Sequence, residues 1–289
     1  MAQDQVLVRV HATSVNPVDC YVRSGGLRRF KAVPFPIVPG VDISGTVERC
    51  GKRVRRFSPG DQVFAFLPRC RGASAEFAVC EESWLATKPA VLSHIEAAVV
   101  PCVGLTALQA LRDKLELTSG QTVLIVGASG GVGTMAVQVA CAMAVEVTAV
   151  CSTANIDQVK RIGATHVVDY KMSDVFGESR QFDAVFDCVG IHRFWVYQKL
   201  LSKRGKHVGI SCSWRSRVDC VLSWIVSGQT SFQFHVQAKH KDLEHLAELI
   251  DQGKLKPVVS RIYPLAEIVG AHQACETRHT VGKIAVQIV

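Results

Sequence analysis

The stretch Val-Leu-Ile-Val-Gly-Ala-Ser-Gly-Gly-Val-Gly at residues 123–133 restricts what this chain can become more than any other. Its apolar start, short and bounded, reads as a buried strand. It runs into a turn holding Gly127, Gly130, Gly131 and Gly133, and the turn opens on residues 134–143, which contain no helix breaker. Strand, glycine-rich turn and helix in that order make a phosphate cradle. Glycines let the backbone approach the anion, and the helix N-terminus offers free N–H groups and the positive end of its dipole. Ser129, Gly130, Gly131, Val132 and Gly133 are therefore the expected phosphate contacts. The spacing is one residue longer than the common G-x-G-x-x-G, but a second strand at 145–151 supplies the context that pattern needs.

The cradle sits inside a regular alternation. Strands are expected at 122–126, 145–151, 166–170, 183–189, 206–210 and 231–236, with helices between several of them, one of them at 156–162 and ended by Gly163. Alternation of this kind predicts an α/β fold, a doubly wound parallel sheet. Residues 1–90 read differently, as short strands and turns with no long helical period. Ser93-His94-Ile95-Glu96 is a capping box ahead of an apolar helix that Pro101 is expected to stop, and 104–115 restarts as a helix. A further amphipathic helix is expected at 242–252, then an extended run at 257–259, a helix near 265–277 and a last strand at 283–289. The division expected is a β lobe at 1–93, a dinucleotide-binding domain at 94–254 and a return segment at 255–289, which 289 residues can hold.

Composition removes several classes. No apolar run reaches the ~18 residues that suggest a membrane span. The N-terminus has neither a basic nor an apolar signal region, so a cytoplasmic location is expected, or an organelle if a targeting segment is missing. The 11 cysteines include no C-x-x-C, so buried free thiols are expected and a structural zinc is not. The net charge of +8 gathers partly at Arg28-Arg29-Lys31 and Lys52-Arg53-Arg55-Arg56. Neither cluster is interleaved with aromatics, so a solvated loop face is favoured over a nucleic-acid surface. No G-x-S-x-G elbow is present for a serine hydrolase.

Several segments, in order, carry a family resemblance. Asn16-Pro17-Val18-Asp19-Cys20-Tyr21-Val22-Arg23-Ser24-Gly25 resembles the N-P-x-D-x-Y-x-R-x-G segment of zinc-independent quinone oxidoreductases, and residues 39–47 resemble their P-G-x-D/E-x-x-G-x-V turn. Gly60-Asp61-x-Val63, Gly104-Leu105-Thr106-Ala107, the glycine-rich turn, residues 182–190 and Gly282-Lys283-Ile284 follow in the family's sequence. The chain thus resembles the quinone oxidoreductase (zeta-crystallin-like) branch of the medium-chain dehydrogenases/reductases. The resemblance implies a GroES-like β lobe joined to a Rossmann domain, nicotinamide and substrate in the cleft between them, and a homodimer formed through the strand at 231–236. Members of the family usually begin with a further β-hairpin ahead of the segment matching residues 6–12. Its absence predicts an exposed strand edge in the β lobe.

The resemblance also assigns roles. The zinc-dependent branch has Cys where Asn16 stands and Gly-His-Glu where Gly40-Val41-Asp42 stand. Asn and Val are not zinc ligands, so catalytic zinc is not expected. Hydride would then pass to an acceptor that is already electron-poor, a quinone or an α,β-unsaturated carbonyl. Asn16 would hold nicotinamide or the acceptor oxygen, or else serve only as an Asn-Pro turn residue. Tyr21 would donate a proton or hydrogen bond to the developing oxyanion, or else pack. Arg23 and Asp42 are read as structural, paired across the lobe. Thr106, Cys188, Val189, Gly190, Gly209, Ser211 and Lys283 are the remaining nicotinamide-side candidates.

Cofactor choice turns on the end of the second strand. The window Cys151-Ser152-Thr153-Ala154-Asn155 has no carboxylate to repel a 2′-phosphate, and Ser152 and Thr153 can bond one. Tyr170 and Lys171 match the family's NADPH side, which favours NADPH. Asn155 is read as the N-cap of the next helix. Two rival functions stand beside quinone or enone reduction. One is an enoyl-thioester reductase using Arg28–Lys31 for coenzyme A phosphates. The other is an NADPH-binding protein without turnover, associated with RNA.

Overall fold

The structure is a computed structural model that describes residues 1–26, 36–68, 72–177, 180–190, 192–210 and 214–289. It separates into two compact units, residues 1–105 with 237–289, and residues 106–236. The division lies some way inside the boundaries expected at 93/94 and 254/255. Residues 94–105 and 237–254 fall in the first unit.

The first unit opens with β1 (Gln5–Val15) and α1 (Pro17–Arg23). The helix was not expected in this strand-rich region. It forms because Asn16 stands at the N-cap, Pro17 pre-sets the first helical φ, and the Asp19 carboxylate accepts from the Asn16 N–H at 2.9 Å. Then come β2 (Asp42–Cys50), β3 (Gln62–Phe66), β4 (Phe77–Glu81), β5 (Leu85–Thr87), α2 (His94–Ala98) and α3 (Pro101–Gln109). The capping box of α2 is present, with Glu96 N–H donating to Ser93 Oγ. The helix α2 ends at Ala98, ahead of Pro101, and Pro101 then begins α3 at the first helical position, where its missing N–H costs nothing. The end of α3 loosens into a π-helical turn at Ala110–Lys114.

In the second unit β6 (Thr122–Val126), α4 (Gly131–Ala142), β7 (Glu146–Cys151), α5 (Ile156–Arg161), β8 (His166–Asp169), β9 (Phe182–Asp187), α6 (Phe194–Tyr197), β10 (Leu201–Gly209), α7 (Trp214–Ser227) and β11 (Thr230–Gln233) follow in turn. Their six strands form one sheet in the order β11-β10-β9-β6-β7-β8, with every pair parallel. This is a Rossmann sheet. The chain runs outward from β6 through β7 and β8, then returns to β9 on the other side of β6. That reversal is the topological switch point where doubly wound sheets bind ligands.

The chain ends with α8 (His240–Asp251), β12 (Val259–Pro264), α9 (Ile268–Glu276) and β13 (Lys283–Gln287), which belong to the first unit. Its sheet has seven strands, ordered β12-β13-β1-β2-β3-β5, with β4 beside β1. β1 is the hub. It pairs β2 on one side, and β4 and then β13 on the other. Its inward residues Val6, Val8 and Val10 join Ile43, Val63 and Leu85 in a fully buried core. The exposed edge falls on β4, which pairs only β1 among the described residues and leaves Phe77 and Val79 exposed. The arginine cluster at 52–56 is largely solvated, but Arg56 pairs with Glu244 and lies over the Phe57 ring. No helix of the described residues is long and apolar enough to cross a membrane.

Candidate active site

The glycine-rich turn leaves the sheet at the end of β6, and the sheet register sets what lies beside it. Val126 is level with Val150 on one side and Asp187 on the other, and Asp187 is level with Gly209. The cradle, the 188–190 turn and the end of β10 therefore leave the sheet at one edge. Gly127 has φ +77°, a conformation that favours glycine, and a Cβ there would lie 2.4 Å from a Val189 methyl. A Cβ on Gly133 would lie 2.1 Å from the Gly127 carbonyl oxygen, so only glycine lets α4 start so close to the turn. Gly130 is different: its Cβ would meet nothing nearer than 3.5 Å. No side chain caps α4, and its first residues Gly131 and Val132 are half-buried. An uncapped helix start facing a glycine-lined hollow fits a diphosphate.

The two loops expected on the ribose side are tied together by a single amide. Asn155 precedes α5 as expected, but its side chain does not cap it. Instead Nδ2 donates to Ser129 Oγ and to Ser152 Oγ, both at 3.1 Å. This joins the glycine turn to the end of β7. Asp169, level with Cys151, also enters the region. Its carboxylate accepts from the Lys171 N–H at 2.9 Å, and Thr153 beside it, then that bond, hold its pKa below the usual range. So a carboxylate stands beside Thr153, supplied by the third strand rather than the second. Tyr170 is exposed at the same edge.

The turn after β9 is held by a buried acid that the sequence reading passed over. Asp187 Oδ1 accepts from Val189 N at 2.9 Å and Gly190 N at 2.8 Å, folding the turn back on the strand end. Its other oxygen, the Tyr197 hydroxyl and His207 Nε2 are all buried without a hydrogen-bond partner. Tyr197 stacks on His207 at 5.2 Å. Burial first, then Asp187, keeps the Tyr197 phenol protonated, while burial pushes His207 down to about 4. Burial and Asp187 likewise raise the Cys188 thiol, so it is no nucleophile. The signal for Asp187 was available as an Asp closing a strand three residues before a glycine. Ser211 lies outside the described residues, as do Arg28, Arg29 and Lys31. Thr106 is buried within α3.

In the first unit the candidates meet in a buried polar network. Asn16 is 3% exposed, and both ends of its amide are occupied. Nδ2 donates to Asp42 Oδ2 at 2.8 Å, and Oδ1 accepts from Lys283 Nζ at 2.7 Å. Lys283 Nζ also donates to the Val15 carbonyl at 2.7 Å, so the ammonium expected at the cofactor is directed inward. Asp42, fully buried, further accepts from Ser14 Oγ at 2.6 Å and from Cys102 N at 2.7 Å. Burial raises its pKa against these partners, Lys283 foremost. Asp42 and Arg23 are not partners. Arg23 pairs with Glu276, and Asp42 belongs to the Asn16 cluster. Tyr21, one residue past the buried Cys20, is 46% exposed and so presents its side chain to solvent. Among the described residues no group of three or more His, Cys, Asp or Glu converges as a metal site. Val41, 2% exposed beside Asp42, offers no donor atom.

A depression of about 730 Å³, lined in part by Phe176, Gln181, Trp195 and Lys199, lies near the starts of β9 and β10. It includes none of the expected site residues.

Residues 2–91 match the alcohol dehydrogenase GroES-like domain, and residues 162–286 match a family described as zinc-binding dehydrogenase. The chain is 35% identical over 298 residues to the chloroplast envelope quinone oxidoreductase homolog of Arabidopsis thaliana, covering 98% of this chain and 90% of that one. It is 33% identical over 325 residues to the bovine mitochondrial NAD(P)H oxidoreductase RTN4IP1, covering 99% and 82%. The solved quinone oxidoreductase of Coxiella burnetii superposes with a TM-score of 0.88 at 31% identity, covering 100% of this chain and 92% of that one. A GroES-like lobe with a Rossmann sheet and an uncapped glycine cradle defines a medium-chain dehydrogenase/reductase. The chain belongs to the quinone oxidoreductase branch of that family, a branch of oxidoreductases.

Proposed function

We propose that this protein reduces quinones or α,β-unsaturated carbonyl compounds with NADPH, by hydride transfer that uses no zinc. The observation that carries the reading is the donor set around Asn16. At the two positions where zinc-dependent relatives place ligands stand an amide saturated by Asp42 and Lys283, and the side chain of Val41. With no Lewis acid to activate a hydroxyl, the acceptor has to be polarised already. NADPH, when bound, supplies the hydride.

The chain's own residues bind and orient. Gly130–Gly133 and Ser129 receive the diphosphate, and Ser152 and Tyr170 the 2′-phosphate. The 188–190 backbone, with Gly209 and Ser211, receives the nicotinamide. Tyr21 gives a hydrogen bond to the oxygen on which charge develops. Asn16 and Lys283 act as positioning residues for α1, which carries Tyr21. The edge strand β11 and the exposed Val218, Leu222 and Trp224 of α7 support a homodimer.

The test is loss of NADPH absorbance with a panel of quinones, enones and enals. Turnover on at least one is expected. NADPH binding without turnover on any of them overturns the reading, and turnover on crotonyl-type thioesters alone replaces it with enoyl-thioester reduction. Dissociation constants for both reduced cofactors test the choice of nucleotide, and NADH binding as tightly as NADPH overturns it. Asp169→Asn removes the charge beside Thr153 and is expected to tighten NADPH several-fold, about 1 kcal/mol, while leaving NADH unchanged.

A further inference from the structure

Two cysteines far apart in the sequence meet inside the first unit. Cys20 lies on α1 and Cys275 on α9, and both belong to one small buried cluster. Both are nearly buried, packed with Val15, Ala271 and Ile284. His272, one turn before Cys275, brings Nδ1 to 3.5 Å from Cys20 Sγ. The layer above them is thin. Arg23, one turn on from Cys20, pairs with Glu276, the neighbour of Cys275, and both side chains are about two-fifths exposed. The two sulfurs are inequivalent. The neighbouring Cys20 thiol, and then Lys283, pull the Cys275 thiol down against its burial, while Cys275 and burial push Cys20 up. None of this belongs to the reductase chemistry above.

We propose that Cys20 and Cys275 are a modification site, a dithiol that a hydroperoxide closes to a disulfide stapling α1 to α9. Cys275, as thiolate, attacks the distal peroxide oxygen. The O–O bond breaks, Cys275 becomes a sulfenic acid, and the leaving oxygen takes up a proton as water (or as the alcohol, for an organic peroxide). Cys20 then attacks the sulfenic sulfur, the S–S bond forms, and the displaced hydroxyl leaves with the Cys20 proton as a second molecule of water. His272 is placed to take that proton from Cys20. In total the two thiols lose two electrons and two protons. The bridge closes a loop of most of the chain's length, which favours the folded state.

The experiment treats the full chain with hydrogen peroxide and maps it without reduction. A Cys20–Cys275 cross-linked peptide, a mass loss of about 2 Da, reversal by dithiothreitol and a raised melting midpoint are expected. In Cys20→Ser, dimedone traps a sulfenic acid on Cys275. In Cys275→Ser, neither cross-link nor trapped Cys20 forms. Oxidation of other thiols while Cys20 and Cys275 remain unlinked overturns the proposal, and so does trapping on Cys20 instead of Cys275. The wild-type map needs no variant to fold, so it decides even if both substitutions are disruptive.

Discussion

Asp19 and His94 are ionisable groups that burial pushes in opposite directions, and their effects on stability are opposite too. Burial raises Asp19 from an ordinary carboxylate to about 7, against the Asn16 N–H and Lys283, which pull it down. The folded state therefore holds this proton over a range in which the unfolded chain has lost it. That contribution is full below about 4 and falls away as pH rises to about 7. Asp19→Asn keeps an oxygen to accept the Asn16 N–H, and its melting midpoint should lose this decline between those limits. His94 is lowered to about 4 by burial first, then by His11, which stacks on it at 4.4 Å, and Lys88. The unfolded chain protonates first, so His94 destabilises as pH falls from about 6.5 to about 4. In His94→Gln the midpoint should drop less over that interval. Thermal melts across the range separate the two residues, because the slopes have opposite signs.

The cradle makes its prediction at the level of the element. Gly133→Ala places a methyl against backbone that cannot move aside, so the midpoint should fall by roughly 5 °C. Gly130→Ala meets nothing closer than 3.5 Å and should melt like the parent. It should nevertheless weaken NADPH at least tenfold in a fluorescence titration, because its methyl occupies the hollow. Equal affinities for Gly130→Ala and the parent would remove the diphosphate from this turn. The same element shows what was legible in the sequence. Parallel strands buried on both faces read as continuous apolar runs, so β6, β7 and β9 stood out along with the turn between β6 and α4. Short-range signals did less well where two segments compete for one residue. Asn155 was correctly placed before α5, but its amide serves Ser129 and Ser152, and nothing local announces a partner 26 residues away. Asp169 reaches Thr153 only because β7 and β8 lie in register. The inward turn of Lys283 toward Asn16 spans 267 residues, and no periodicity carries such a contact.

For the whole molecule, the second sheet ends at β11, and α7 exposes Val218, Leu222, Trp224 and Val226. The proposed homodimer would form on this apolar face beside the edge strand of the described sheet. Trp224→Glu should shift the sedimentation of the protein from dimer to monomer with its midpoint little changed. A parent that already sediments as a monomer would dismiss the interface. The first sheet has a different property. Of its described strands the central one, β1, is made before the others, and the strands that extend one side of it are made after the second unit: Val15 is level with Ile284 of β13, and β12 pairs β13. On the ribosome, β1 must therefore wait beside β2 and β4 with part of its hydrogen-bonding edge open until the second unit has been made. At ~5–20 residues per second that interval is on the order of ten seconds or more, long enough for the Rossmann unit to fold first. The nascent chain's exposure to chaperones and proteases is thus set by the strand order, and a stop codon ahead of β13 would leave the Rossmann unit attached to a first sheet whose β1 edge stays open.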